Sequence, residues 1–84
     1  SIVLTAAKEE GIFKIKDLKI LEPGVTKKRI QALGLFEGRR VCVIARAPFS
    51  GPLLVEDVVT GARVMIARDL AVNIEVASDG PSVS

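Results

Sequence analysis

The stretch that decides the fold is "LGLFEGRRVCVIARAPFSGP", which runs from Leu33 to Pro52. It begins with two glycines that can end a helix and form a turn. The β-branched residues of Arg40–Ala47 then predict a strand, and apolar side chains on both faces of its pleat indicate that it is covered on both sides. The loop Ala47–Pro52 follows, because Pro48 and Pro52 cannot donate ladder hydrogen bonds.

The segments on either side of this stretch complete a pattern of five short strands and one helix. "GIFKIKDLKI" alternates apolar and polar residues and predicts a strand at about Ile12–Leu18. "EPGVTKKRIQALGL" predicts a helix over about Thr26–Leu33, with Thr26 as its N-cap and Gly34 after its end. Further strands are expected at 53–59, 62–66 and 74–76, with one helical turn in "ARDLAVN". Five short strands joined by tight turns favour a small barrel, since closing the sheet removes its exposed edges.

The length of 84 residues fits one domain, which we expect to span residues 1–76. Residues 77–84, "ASDGPSVS", are small and polar and predict a flexible C-terminal tail. A core of aliphatic side chains is expected because there is no Trp or Tyr. The residues that we expect to be buried are Phe13, Ile15, Ile30, Leu33, Val41, Val43, Val55, Val64 and Ile74.

The net charge and the number of cysteines indicate the cellular compartment and the class of partner. Twelve basic against ten acidic residues give a formal net charge of only +2, which does not by itself imply a polyanionic partner. The single cysteine, Cys42, cannot form an internal disulfide and favours a reducing compartment. Ser1–Ala7 lacks the features of a signal peptide, and Arg46 interrupts the apolar run "VCVIARAP". We therefore expect a cytoplasmic protein.

The residues needed for catalysis or for a tight metal site are missing. There is no histidine to act as a general base or to activate Cys42. Glu56 and Asp57 are adjacent in a predicted strand and point to opposite faces, so they do not form a cooperating carboxylate pair. One cysteine and no histidine cannot complete a zinc or ferrous shell. We expect no enzyme activity, no catalytic residue, no small-molecule substrate, no cofactor and no metal ligand set.

A basic cluster raises the alternative of a small nucleic-acid-binding barrel. Lys27, Lys28 and Arg29 lie on the predicted helix, and Arg39 and Arg40 follow soon after it. The aromatic residues that would stack on bases are scarce, and acidic residues dilute the basic ones. A solvated helix face accounts for the same residues.

The order of these features resembles the ferrous iron transport protein A (FeoA) family over about Leu4–Val76, nearly the whole chain. The family's pattern has a short helix ending in Leu-Gly-Leu, a Pro-Gly turn, a strand and an Ala-Pro-Leu-Gly-x-Pro loop. The matching residues are Arg29, Leu33, Gly34, Leu35, Gly38, Val41, Ala47, Pro48, Gly51 and Pro52, followed near the end by Ala71, Ile74 and Val76. The departures are Ile30, Glu37, Phe49, Ser50 and Ala67.

The resemblance implies a mainly β fold, a small SH3-like five-stranded barrel with one short α-helix. It also implies an accessory protein that modulates the ferrous iron permease, ferrous iron transport protein B, by contact with its cytoplasmic part. Any binding of transition metal would then be weak or indirect. The resemblance extends to the barrel module of iron-dependent regulators, which is an alternative function for this chain. It does not imply an oligomeric state.

The loop Ala47–Pro52 is the predicted partner contact. Phe49 is a large apolar side chain between two prolines, and such a residue either anchors a partner or folds back as a lid on the barrel. Basic residues of the helix and of the preceding strand would form a rim around it. The predicted partner-binding residues are Lys28, Arg29, Arg46, Pro48, Phe49, Gly51 and Pro52.

Overall fold

Six antiparallel strands and two short α-helices make up the computed structural model, which describes residues 1–79. The strands are β1 (Ile2–Val3), β2 (Ile12–Leu18), β3 (Arg40–Arg46), β4 (Leu53–Asp57), β5 (Arg63–Ile66) and β6 (Ile74–Ser78). The helices are α1 (Lys27–Gln31) and α2 (Arg68–Ala71), and a 3₁₀ turn covers Leu4–Ala6. Within this part of the chain, no helix is long and apolar enough to cross a bilayer.

The mainly β fold is confirmed, with one strand more than the sequence predicted. The five expected strands are all present, and the additional strand is β1. Two residues are too few to show the alternation by which a strand is recognised, so this pattern was not visible. The helical turn expected in "ARDLAVN" is α2, a single turn of four residues.

The strands form one curved sheet in the order β1-β6-β2-β3-β4-β5. A register shift leaves Lys16 as an extra residue in β2, and a second one leaves Ile44 as an extra residue in β3. Bulges bend a strand and increase its twist, which curls the sheet around the core. β1 and β5 each pair with one strand only among residues 1–79, so strand pairing does not close the curved sheet and two edges remain.

Helix α1 has the predicted start and stop signals. The Oγ1 atom of Thr26 accepts a hydrogen bond from the Arg29 N–H at 3.2 Å, which confirms Thr26 as the N-cap. Gly34 follows the helix with φ +86°, the left-handed conformation expected of it. The helix is shorter than expected because the Leu33 N–H donates to the Ile30 carbonyl, three residues back, and so tightens the last turn.

The core is aliphatic and lies inside the curved sheet, under α1. Seven of the nine residues expected to be buried are buried: Phe13, Ile15, Ile30, Val41, Val43, Val55 and Ile74. Leu33 and Val64 are only half-buried and pack against the rim of this core. Leu4, Leu53, Ile66 and Val76 are fully enclosed as well, so every strand from β2 to β6 contributes to the same core.

The last strand extends past the predicted end of the domain. Ala77 pairs with Lys14 and Ser78 with Phe13, so β6 continues two residues beyond position 76. The Asp79 N–H donates to the Ile12 carbonyl at 2.8 Å. These residues therefore belong to the sheet, and the rest of the predicted tail, 80–84, lies outside the described residues.

Candidate partner-binding surface

The loop between β3 and β4 is a tight turn held by two backbone hydrogen bonds. The Ala47 N–H donates to the Pro52 carbonyl at 2.9 Å, and the Gly51 N–H donates to the Pro48 carbonyl at 3.1 Å. Phe49 and Ser50, the two central residues, each have φ +59°. Positive φ at both central positions is the feature of a type I′ turn, which glycine, asparagine and aspartate normally occupy.

Phe49 lies at the tip of this turn, 99% exposed. The lid alternative is wrong, because the ring covers no part of the barrel. A left-handed conformation costs a residue with a side chain roughly 1–2 kcal/mol, and a bulky residue adopts it rarely. The turn therefore presents a large apolar ring to solvent in a strained backbone, a combination that points to function rather than to folding.

Packing on the inner side of the turn keeps its shape. A Cβ atom on Gly51 would lie 2.7 Å from the Ala47 Cβ and 3.0 Å from the Pro48 carbonyl oxygen, so this position has no room for a side chain. The Arg68 Nε donates to the Gly51 carbonyl at 3.3 Å, which ties the loop to the start of α2. No local pattern indicated Arg68, which lies 17 positions from Gly51 along the chain.

Arg46 performs a different task from the predicted one in this structure. Its guanidinium donates to the carbonyls of Thr5 and Ala7, and it lies 3.5 Å from the Glu9 carboxylate. Its side chain is only 23% exposed. Arg46 therefore fastens the N-terminal segment to β3, and its guanidinium donors are largely occupied.

The two predicted basic residues of α1 are exposed. The Arg29 guanidinium donates to the Gly24 carbonyl at 2.8 Å and so closes the turn before the helix. Lys28 makes no ion pair or hydrogen bond through its side chain within residues 1–79, whereas the neighbouring Lys27 lies 3.8 Å from Glu37. Of the predicted basic rim, Lys28 is thus the residue with its charge available.

The end of α1 and the loop flank opposite ends of β4. Residues 33–35, just after the helix, line a pocket with Thr60 and Ala62 of the β4–β5 turn and with Arg63 at the start of β5. The loop instead shares a pocket with Met65 and Arg68, at the other end of β5. In the described chain, no hydrogen bond or ion pair joins the loop to α1.

Asn73 is a structural residue that the sequence analysis missed. Its buried side chain accepts hydrogen bonds from the N–H groups of Leu21 and Glu22 and donates to the carbonyls of Asp69 and Leu70. Because every polar atom of this amide has a partner, its burial is stabilising. A local signal was available, since Asn73 is the one uncharged polar residue in the mainly apolar run "LAVNIEV".

Cys42 and the carboxylates form no reactive arrangement. Cys42 is half-buried on the outer face of β3, opposite Glu56, rather than enclosed in the core. Burial, and then the charges of Glu56 and Glu10, raise the pKa of its thiol, which lowers its reactivity. Among residues 1–79, no three His, Cys, Asp or Glu side chains come together as metal ligands would.

Comparison with known proteins gives one consistent result. The family model described as the FeoA domain matches residues 2–78. The solution structure of FeoA from Chlorobium tepidum has 26% identity and a TM-score of 0.74, and covers 92% of this chain and 70% of its own. No curated protein matches the chain.

Two crystal structures show the same fold at lower identity. One is an iron uptake regulatory protein (FeoA), with 21% identity and a TM-score of 0.73 over 89% of this chain and 93% of its own. The other is FeoA of Stenotrophomonas maltophilia, complexed with zinc and described as a prokaryotic SH3-domain protein, with 20% identity and a TM-score of 0.73 over 92% and 91%. The family model covers nearly the whole chain, and the chain therefore belongs to the FeoA family.

Proposed function

We propose that this FeoA-family protein is a cytoplasmic, non-enzymatic accessory of ferrous iron transport that binds and modulates the cytoplasmic part of the ferrous iron permease. The S. maltophilia relative is described as a candidate ferrous iron transport activating factor, which supports a role beside a transporter. The single Cys42, unpaired, fits a reducing compartment.

The observation that carries the proposal is the strained turn with Phe49 at its tip. An exposed aromatic ring on a preorganised turn loses little conformational entropy on binding and buries roughly 150–250 Å² of side chain. Pro48, Gly51 and Pro52 hold the turn in shape and present the ring. These four residues form the anchor of the proposed contact, and together we call them the Phe49 loop.

Charge supplies the second part of the proposed contact. The Lys28 ammonium group on α1 has no partner within the described residues 1–79, and Arg29 lies beside it. Arg46 contributes indirectly, because its bonds to the N-terminal segment fix the end of β3 from which the Phe49 loop departs. Rim charges mainly set the rate of association and its dependence on salt.

Titration calorimetry of the permease's cytoplasmic domain with the full chain tests this function. We expect saturable one-to-one binding, and in stopped-flow mixing of the same two proteins Lys28→Glu should slow association while changing dissociation little. Lys16→Glu, an equal charge change at an exposed position of β2, is the matched control and should have a smaller effect on the association rate. Absence of binding by the wild-type chain would overturn the proposal.

Metal does not enter the proposed role as a ligand held by this chain. The zinc complex is a property of the S. maltophilia protein. We propose that the chain acts on the permease by contact and that its own binding of transition metal is weak or indirect. Titration with ferrous ion should then show no site tighter than micromolar; a tight one-to-one site would contradict this part.

A further inference from the structure

Strand β5 is an edge strand with free backbone groups. The Asp57 N–H donates to the Ala62 carbonyl at 2.8 Å, so the alternation of an antiparallel pair directs the backbone groups of Val64 and Ile66 toward β4. The N–H and C=O groups of Arg63 and Met65 therefore point away from the sheet. Within residues 1–79, no hydrogen bond outside this ladder uses them.

This edge lacks three of the features by which proteins usually protect one, namely proline, lysine and a bulge. β5 contains no proline or lysine, and its register with β4 is regular, without a bulge. The opposite edge of the sheet, β1, is only two residues long. The sheet thus has one short edge and one open edge of four residues that can pair with an extended chain.

Apolar groups lie beside the open edge. Met65 is 58% exposed and points outward from the middle of β5. An open pocket of about 440 Å³ adjoins it, lined by Ser50, Gly51 and Pro52 of the loop and by Ala67, Arg68 and Asp69. The loop reaches this place because Leu53, the residue after it, pairs with Ile66 at the end of β5. An apolar side chain seated on Met65 would therefore lie close to the Phe49 loop.

The positive charge near β5 favours an acidic segment as the strand that pairs with it. Residues 62–68 contain two arginines, Arg63 and Arg68, and no acidic residue. The Arg63 Nε lies 2.7 Å from Glu56, but its guanidinium has five N–H donors and the side chain is 56% exposed. One arginine lies on each side of Met65, so the complementary segment has an apolar residue between two acidic ones.

We propose that the β5 edge binds an extended segment of the partner protein as an additional strand. Main-chain hydrogen bonds to Arg63 and Met65 hold the segment, its central apolar side chain packs on Met65 next to the Phe49 loop, and its acidic residues face Arg63 and Arg68. The identity of the partner rests on the proposed function, whereas the mode of binding does not.

A second copy of this chain is a weaker occupant of the same edge. A two-fold contact centred on Val64 would pair only Arg63 and Met65 of each chain, with no acidic group opposite either arginine. Four residues from each chain fall well short of the roughly 800 Å² per partner that a stable interface buries. The partner segment is therefore favoured, and self-association is an outcome that the test separates.

The first arm of the test uses the full ¹⁵N-labelled chain and the peptide acetyl-Asp-Thr-Leu-Thr-Asp-amide at millimolar concentration. Alternation in a strand places the two Asp and the Leu on one face, to match Arg63, Met65 and Arg68. We expect amide shifts at residues 62–67 and 49–51, and hydrogen exchange of the Arg63 and Met65 amides slowed by about fivefold or more at saturation. The same peptide with Lys in place of Asp should bind more weakly.

Two variants keep this arm specific. Met65→Pro removes an N–H group that points to solvent and makes no hydrogen bond with β4, so β5 should persist. Peptide binding should be lost, because this N–H group is one of the donors to the added strand. Met65→Glu retains the N–H and places a negative charge between the two Asp residues of the peptide, so it should weaken binding even if the first variant misfolds. Val59→Ala, at an exposed apolar position in the other turn of β4, should bind as wild type.

The proposal is overturned if the peptide causes no shifts, or shifts elsewhere, or if the Arg63 and Met65 amides become protected on raising the chain's own concentration. A second arm repeats the exchange experiment with the permease's cytoplasmic domain. A complex that leaves these two amides unprotected overturns the edge proposal and leaves the proposed function standing. No complex, together with peptide binding at β5, overturns the function and leaves the edge proposal standing.

Discussion

The two turns at the ends of β4 are built in opposite ways. The turn to β5 has an acceptor and a glycine where its geometry requires them: the Asp57 carboxylate accepts from the N–H groups of Val59 and Thr60, and Gly61 adopts φ +79°. The turn from β3 has Phe49 and Ser50 in the left-handed conformation, and no side chain among residues 1–79 accepts a hydrogen bond from the N–H group of either. One turn relieves strain and the other retains it.

The two turns differ in backbone strain, and this difference distinguishes a turn that stabilises the fold from the turn that we propose as a contact. Both turns carry an exposed apolar residue, Val59 at 74% and Phe49 at 99%, so exposure alone does not distinguish them. Strain does, because a turn that only had to connect β3 to β4 would be more stable with glycine or asparagine at its centre. The β4–β5 turn is a structural element, whereas the strain in the Phe49 loop supports the contact that we propose for it.

Removal of the Asp57 side chain should have the largest effect on stability. Asp57→Ala leaves two turn N–H groups without their acceptor and removes the 2.9 Å ion pair with Arg39, so we expect a loss of about 1–3 kcal/mol in the free energy of unfolding. Urea denaturation measures it. Asp69→Ala, on the exposed side of α2, is the control and should change stability by less than about 0.5 kcal/mol. Equal losses in the free energy of unfolding for Asp57→Ala and Asp69→Ala would contradict a stabilising role of the β4–β5 turn.

Exchanging glycine and serine between the two turns sharpens the comparison. Gly61→Ser places a side chain at φ +79° and should destabilise the fold by about 1 kcal/mol. Ser50→Gly relieves the same strain at φ +59° and should stabilise it by roughly 0.5–1 kcal/mol, the gain being reduced by the greater freedom of glycine in the unfolded chain. Thermal melting of the two variants checks the signs. A destabilising Ser50→Gly would mean that the loop is not strained.

The smallest expected effect is the pH dependence of the β4–β5 turn. Hydrogen bonds from Thr60 and Val59 and the charge of Arg39 lower the pKa of the Asp57 carboxyl from its ordinary value of 3.8. Because the folded pKa is depressed, the stabilisation is present above the unfolded pKa and is lost as pH falls through the folded one. Asp57→Asn keeps the acceptor oxygen and removes the charge, so its urea midpoint should differ from wild type near neutral pH and converge with it in acid. A constant difference would contradict this.

The sequence predicted the elements of the fold better than it predicted the surface. Thr26, Gly34 and the alternation of Ile12–Leu18 act locally, and local signals place helices and strands well. β1 was missed because two residues carry no period. β5 is an edge because, within residues 1–79, it pairs with β4 alone. This pairing is a long-range property that the residues of β5 do not reveal.

The candidate site was partly visible for the same reason. The two prolines around Phe49 marked the loop, because proline acts on the adjacent backbone. Arg46 was expected on the rim, yet its guanidinium lies against carbonyls of Thr5 and Ala7, some forty positions away in the chain. Arg68 was missed because its partner, Gly51, lies 17 positions away in the chain, and Glu22, a partner of Asn73, lies 51 positions away. Long-range hydrogen bonds decide which polar residues remain available, and a single sequence does not report them.

Comparison of Phe49→Ala with Val59→Ala tests the central claim most directly. Both substitutions remove an exposed apolar side chain from a turn at an end of β4, and neither should change the free energy of unfolding by more than about 0.5 kcal/mol. Titration calorimetry with the permease's cytoplasmic domain should show Phe49→Ala binding weaker by about 1–3 kcal/mol and Val59→Ala binding as wild type. Equal affinity of the two folded variants would contradict the account and move the contact away from the Phe49 loop.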